Sequence, residues 1–306
     1  MIEDVERENV GEIKKNVSMK EHTTYKTGGI VRYMIYPTNI NQLKTLLTFI
    51  QKNKIKYKVV GNGSNLIFTD DFYDGIIIKL DYLRDLHIEG KEITVGAGYS
   101  LMRLALKLSM AGYTGLEFAS GIPGTVGGAI YMNAGAYKSD MGYVIKKVKV
   151  LTPDLEIKDI FNKDLDFHYR TSFFKKHDGY VILEGTFHLN YGNKEDSLTM
   201  IKERKERRMA TQPLEYPSAG SVFRNPEGDA AGRLIEEAGL KGLKVGGAMV
   251  SEKHANFIIN TGGATSKDLK ELIQIIKAKV KEKYDIELME EQEYVGWYYE
   301  KEKNKN

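Results

Sequence analysis

The chain has 306 residues, a net charge of +3 from 45 basic and 42 acidic side chains, and no cysteine. Its length allows two or three domains with real cores. The balanced charge argues against a dedicated nucleic-acid binder, and the missing cysteine excludes disulfides, thiolate metal sites, iron–sulfur clusters and a cysteine nucleophile. No stretch approaches the roughly 18 apolar residues that span a bilayer. The acidic opening MIEDVERENV lacks the apolar run of a signal peptide. A cytoplasmic monomer is expected, with neither membrane nor nucleic acid as a partner.

Ile40, Leu43, Leu46, Leu47 and Ile50 recur at helical spacing, and Thr38 or Asn39 can cap that helix. A strand-like run, Tyr57 to Val60, breaks at GNGSN (61–65), and another covers Ile76 to Leu80. Ile93 to Ala97 reads as a strand. Ser100 then opens a helix carrying Leu101, Leu104, Ala105 and Leu108, and Gly112 closes it. The small-residue stretch FASGIPGTVGGAIYMNAGA follows. Alternation at 143–151, 155–161 and 180–190 predicts an antiparallel sheet. Beyond it come a basic helix at 197–209, the string SAGSVFRNP at 218–226, a helix at 229–238 stopped by Gly239, a strand at 256–260, a helix at 266–283 and a strand from Tyr294 to Tyr299. The closing KEKNKN is expected to fray. The boundaries near 80 and 195 divide an α+β chain into 1–80, 81–195 and 196–306.

The two glycine-rich stretches draw attention first. In GNGSN, Gly61 and Gly63 permit a tight turn whose amides can form an anion-binding nest, with Ser64 and Asn65 as further donors. A plain β-turn is the alternative. Leu66 stands where a dinucleotide fingerprint needs its third glycine, and no Lys-Ser/Thr follows, so neither nucleotide signature of that kind applies. The second stretch holds Gly121, Gly124, Gly127, Gly128 and Gly135, with Pro123 fixing a turn. Close approach of an extended ligand and tight helix–sheet packing both explain such thinning.

Longer strings are more specific. VVGNGSNLI, EFASGIPGTVGGAIYMNAGAY, FHYRTSFF, AGSVFRNP, AGRLIEEAGLKGLKVGGAMVSEKHANFIIN and YDIELMEEQEYVGW occur in order from about residue 16 to 297. Together they resemble the UDP-N-acetylenolpyruvoylglucosamine reductase family. The resemblance implies a two-part FAD-binding domain of the vanillyl-alcohol-oxidase type and a smaller C-terminal α+β substrate domain. It also implies noncovalent FAD, NADPH as reductant and a UDP-sugar whose enolpyruvyl group is reduced to give UDP-N-acetylmuramate for peptidoglycan. Flavin contacts are then expected at Gly61, Asn62, Gly63, Ser64, Asn65 and Leu66. On the second stretch they fall at Gly121, Ile122, Pro123, Gly124, Thr125, Gly127, Gly128, Asn133, Ala134 and Gly135.

The resemblance also assigns roles. Reduction builds negative charge beside a carboxylate and needs a proton. Local sequence alone favours Ser221 as a cap of the turn after Gly220; the resemblance reverses that, since Ser221 matches the family's proton donor. Arg170 matches the arginine that stabilises the enolate-like charge, and a guanidinium suits a carboxylate. The family's closing glutamate corresponds to Glu291, although Gln292 stands where valine is usual, and a one-residue slip would select Glu290. A carboxylate beside the substrate's own would resist ionisation. Asn225 is expected to contact substrate, and Arg224 its diphosphate. No metal is expected from the spacing of the six histidines. His168 could line the site or serve a strand end. Only 50 residues, 171–220, separate Arg170 from Ser221, which suits the family's shorter second type, without an inserted tyrosine loop. A different flavin oxidoreductase of the same fold, acting on a sugar or alcohol, is the competing reading. The absence of cysteine, and of histidine in the glycine-rich loops, counts against the covalent flavin common among those enzymes.

Overall fold

The helical and strand periods of the sequence translate directly into buried faces. A computed structural model describes residues 2–297. In chain order, β1 (Glu12–Ser18), β2 (Ile30–Tyr36), α1 (Ile40–Asn53), β3 (Tyr57–Val59), β4 (Leu66–Phe68) and β5 (Tyr73–Ile78) come first. In α1, Leu43, Leu46, Leu47 and Ile50 form the buried stripe, and Asn39 rather than Thr38 caps it, accepting from Gln42 N at 3.0 Å. Next are β6 (Leu86–Glu89), β7 (Glu92–Gly96), α2 (Leu101–Met110), β8 (Tyr113–Thr114), α3 (Val126–Met132), β9 (Gly135–Ala136), β10 (Ser139–Asp140), α4 (Met141–Val144), β11 (Ile145–Leu151) and β12 (Ile157–Phe161). Then follow α5 (Phe173–Lys176), β13 (Val181–His188), β14 (Asn190–Tyr191), α6 (Lys194–Thr211) and α7 (Ala231–Glu237). The last are β15 (Lys244–Val245), β16 (Ala248–Val250), β17 (Ile258–Asn260), α8 (Ser266–Tyr284) and β18 (Glu293–Val295). Tyr298, Tyr299 and the KEKNKN segment lie outside the described residues.

The chain forms two compact units. Among the described residues, the first comprises 2–15, 33–62 and 75–206. It holds most of a four-stranded sheet, β1-β2-β5-β3, and a five-stranded sheet, β12-β11-β13-β7-β6. The pairings of the five-stranded sheet are all antiparallel, as the alternation predicted. Its core packs Leu43, Leu46 and Ile50 of α1, Ile76 and Ile78 of β5, Leu104 and Leu108 of α2, and Val148 and Val150 of β11. The strand expected from 143 begins at Ile145, because Asp140 caps the short α4 by accepting from Gly142 N. Helix α3 is the larger surprise: it forms inside the glycine-rich stretch. A Cβ on Gly127 would lie 2.9 Å from Ala97 Cβ, and one on Gly185 of β13 would lie 2.7 Å from Ile130 Cδ1. Both glycines let α3 lie close on the sheet, offsetting glycine's helix cost of about 1 kcal/mol.

Among the described residues, the second unit comprises 16–32, 63–74 and 207–297. Its core is Leu234 and Ile235 of α7, Leu269, Leu272, Ile273 and Ile276 of α8, and Val222, Phe223, Val250 and Ile258. Thr265 opens α8 with a full capping box to Asp268. Strand β4, unread in the sequence, pairs in parallel with β18, Ile67 opposite Tyr294. Its three residues were too few to show a period.

Candidate active site

In the first unit the two glycine-rich stretches meet. A Cβ on Gly61 would lie 2.5 Å from Thr125 Oγ1, and that buried hydroxyl is already engaged, accepting from Gly128 N at 3.3 Å. The carbonyl of Gly61 accepts a hydrogen bond from the ammonium of Lys79, which is only 4 % exposed and lies 3.6 Å from Asp81 Oδ1. Burial pulls the Lys79 pKa below the ordinary lysine value, with Asp81 acting in opposition. Asn62 is exposed, and among the described residues its amide donates to no protein acceptor.

Protein packing by itself already requires several of these glycines. Gly127 faces Ala97, and a Cβ on Gly135 would lie 2.5 Å from Asp140 Cβ. Gly128 differs: it is exposed, and its Cβ position meets only Thr125 Oγ1 at 3.4 Å. The turn Ile122-Pro123-Gly124 is fixed by Gly124 N donating to Ile122 O at 2.9 Å, with Pro123 exposed. Gly121 ends a 3-10 turn begun by Glu117. Burial pushes the Glu117 carboxyl up. Hydrogen bonds from Thr114, Ser197 and backbone amides nevertheless bring it below its ordinary value. Open amide and open glycine face together suit the diphosphate of an extended nucleotide.

Arg170 stands on a turn beside this region. His168 and Thr171 exchange backbone hydrogen bonds at 3.0 Å across Tyr169-Arg170, and Arg170 adopts φ 55. That left-handed conformation is rare for a residue with a Cβ and is held from outside. Asn133, 1 % exposed, donates to His168 O at 2.8 Å and accepts from Gly142 N at 3.0 Å, so its side chain holds the turn. Ser172 Oγ donates to Tyr131 O at 2.6 Å, and Arg170 Nη2 donates to Gly135 O at 3.0 Å. Ala134 N closes α3 on Ala129 O. His168 pairs with Asp166 at 2.8 Å and is exposed.

The second unit gathers Ser221, Glu290 and Glu291. Gly63, at φ 63, has its Cβ position 2.2 Å from His22 O, so only glycine fits. Asn65 Nδ2 donates to Glu291 O at 3.0 Å, and Glu293 N donates to Asn65 O at 2.9 Å, which binds the end of the GNGSN loop to the closing strand. Ser221 to Arg224 lie between that strand and residues 256–257: Glu291 N donates to Val222 O at 2.8 Å, Arg224 N to Met289 O at 2.9 Å and Val222 N to Asn256 O at 2.9 Å. The Ser221 hydroxyl makes no hydrogen bond among the described residues, so the turn-capping alternative has no geometry behind it. Glu290 is committed elsewhere, 3.0 Å from Lys277 Nζ of α8. Gln292 is 4 % exposed; it accepts from Tyr25 Oη at 3.0 Å and donates to Ala219 O at 3.1 Å. Asn225 Oδ1 accepts from Ala231 N at 3.1 Å, and Arg224 is half-buried.

Residues 31–160 match the model of an FAD binding domain, and residues 212–295 that of the UDP-N-acetylenolpyruvoylglucosamine reductase C-terminal domain. A relative named UDP-N-acetylenolpyruvoylglucosamine reductase from Anoxybacillus flavithermus is 45 % identical over 295 residues, covering 96 % of this chain and 98 % of the relative. The chain belongs to the UDP-N-acetylenolpyruvoylglucosamine reductase family. The Bacillus subtilis protein of that name is 43 % identical, covering 97 % and 98 %. The crystal structure of the Thermus caldophilus reductase aligns with TM-score 0.80 at 34 % identity, covering 92 % of this chain and 98 % of that one. As a member of this reductase family with its FAD-binding domain, the chain is an FAD-dependent oxidoreductase. The expected fold class holds, an FAD-binding domain followed by the family's C-terminal domain. Among the described residues no cluster of three or more candidate ligands could hold a metal, and no helix is long and apolar enough to cross a membrane.

Three buried residues beside these candidate positions had no sequence signal: Lys79 in the first unit, and Gln292 and Asn256 in the second. Asn256 clamps Phe223 from both sides, donating to its O at 2.8 Å and accepting from its N at 3.0 Å. His254 Nδ1 in turn accepts from Asn256 N at 3.2 Å, which requires a neutral ring nitrogen. Burial lowers the His254 pKa, so the folded state favours neutral imidazole. Its contribution to stability is therefore fully present above about pH 6.5, the unfolded histidine value, and is lost as pH falls below it. The melting temperature is expected to fall on acidification through this window, and less steeply in His254→Gln. Equal slopes would remove His254 from the account.

Proposed function

We propose that this protein reduces the enolpyruvyl group of UDP-N-acetyl-3-O-(1-carboxyvinyl)-glucosamine to UDP-N-acetylmuramate at the expense of NADPH, a step of peptidoglycan precursor and cell-wall synthesis. The observation carrying the reading is near-full-length identity above 40 % to relatives of that name. It is supported by the Ser221–Arg224 segment held against Met289–Glu291. Segments 1–80 and 81–195 are assigned to the flavin and 196–306 to substrate, in keeping with matches at 31–160 and 212–295. The 50 residues between Arg170 and Ser221 support the shorter type of the family.

Bound FAD supplies the hydride, and Gly61, Asn62, Gly128 and their neighbours are proposed to hold it noncovalently. The protein's own part is charge and proton. Arg170 pairs with the substrate carboxylate, where charge accumulates. The Ser221 hydroxyl, free of any competing hydrogen bond among the described residues, gives its proton to the carbon beside that carboxylate. Glu291 is preferred over Glu290 as the acid, because Lys277 engages Glu290. Asn225 and Arg224 are assigned to the UDP-sugar.

NADPH oxidation by the purified flavoprotein should require UDP-N-acetylenolpyruvoylglucosamine. Oxygen consumption with simple alcohols or sugars, and indifference to the UDP-sugar, would instead favour the oxidase reading. Glu291→Gln is expected to keep its flavin and lose most turnover, whereas near-normal turnover would sink that assignment.

A further inference from the structure

Lys79 is a buried cation that the reaction does not employ. A lysine is taken out of water only where something compensates. Here the compensation is small: one carboxylate at 3.6 Å and one backbone carbonyl, that of Gly61. The carbonyl matters because of what is attached to it. Among the described residues no peptide is cis, and a trans peptide is planar, so the Gly61 C=O and the Asn62 N–H point in opposite directions. With the carbonyl fastened to the buried ammonium, the Asn62 N–H must face the other way. There the residue is exposed and the amide has no protein acceptor among the described residues. The packing of Gly61 on Thr125 Oγ1 fixes the same peptide from its other end.

The geometry points to Lys79 as a positioning residue for the FAD diphosphate: through the Gly61 carbonyl it aims the Asn62 amide at the anion and places a positive charge behind it. This rests on the proposed placement of the diphosphate at Gly61 and Asn62. The ammonium polarises the peptide to which it is bonded, so the outward N–H becomes a stronger donor in the same act. Only a cationic donor does both. Glutamine could hold the carbonyl without charge; methionine could fill the volume and do neither; arginine retains both functions.

The test uses apoprotein reloaded with FAD, read by FAD dissociation constant and by the phosphorus NMR shifts of the bound diphosphate. Lys79→Met is expected to weaken FAD about tenfold and move the diphosphate resonances. Lys79→Gln should fall between, and Lys79→Arg should stay within about threefold of wild type. Gly61→Ala is the control for the location. If it perturbs the resonances and Lys79→Met and Lys79→Gln do not, Lys79 is structural only and the inference fails. If none of these variants perturbs them, the diphosphate lies elsewhere and the placement itself is wrong. Should Lys79→Met not fold, the Gln and Arg variants decide alone: equal FAD affinity in the two removes the charge from the argument, and unchanged resonances in both remove the aim.

Discussion

Ser221→Ala is expected to lower turnover by about 10²–10⁴-fold, the usual contribution of a positioned general acid, while FAD remains bound. The variant deletes one oxygen from a half-buried residue whose hydroxyl makes no hydrogen bond among the described residues. No partner is left unsatisfied by its removal, so the folding cost is small. Gly220 keeps its left-handed turn at φ 73, and the carbonyls of residues 219–221 keep their bonds to Gln292. Reduction of the flavin by NADPH should proceed at the normal rate, and its reoxidation by the UDP-sugar should fail. Stopped-flow measurement of the two half-reactions separates these steps. A variant slowed equally in both would show that Ser221 shapes the site without delivering the proton.

The second large effect belongs to Arg170, through a paired comparison. Both Arg170→Ala and Arg170→Gly remove the guanidinium, and each is expected to reduce turnover about 10²–10³-fold by loss of charge stabilisation. They differ in backbone. At φ 55 alanine inherits the strain of the left-handed conformation, whereas glycine relieves it by about 1 kcal/mol. The glycine variant should therefore melt about 2 °C higher than the alanine variant at equal activity. Such a result would identify a turn strained for the sake of the side chain it carries. If the two melt together, Asn133 and Ser172 hold the turn so firmly that the strain has no thermodynamic expression.

Much of the fold was legible because its elements obey a period. Helix α1 showed its stripe of Leu43, Leu46, Leu47 and Ile50, and β11 alternates over part of its length, whereas β13 is buried nearly throughout. Helix α3 was illegible for a physical reason: Gly127 and Gly128 lower its helix propensity, and contact with Ala97 restores it. Ligand approach was an incomplete reading of the glycines for the same cause, since Gly61, Gly63, Gly127 and Gly135 are demanded by protein atoms. Gln292, a departure from the family's valine, becomes intelligible once buried. Its amide joins Tyr25 to the carbonyls behind Ser221, a partnership 267 residues apart in sequence for Tyr25 and Gln292. Lys79 reads as one more charge in IIIKL, because burial of a side chain is a property of the fold and not of the string.

The pairing of β4 with β18 has a bearing on biosynthesis. Leu66 to Phe68 pair with Glu293 to Val295, Asn65 Nδ2 donates to Glu291 O, and Ile67 O accepts from the Trp297 indole N–H at 3.1 Å. A chain emerging from the ribosome has made the GNGSN loop long before these partners exist. Closing so distant a contact is slow and entropically costly. The far end of the GNGSN loop thus gains its closing partners only after residues 291–297 have left the ribosome, and folding of this unit is a late event in synthesis.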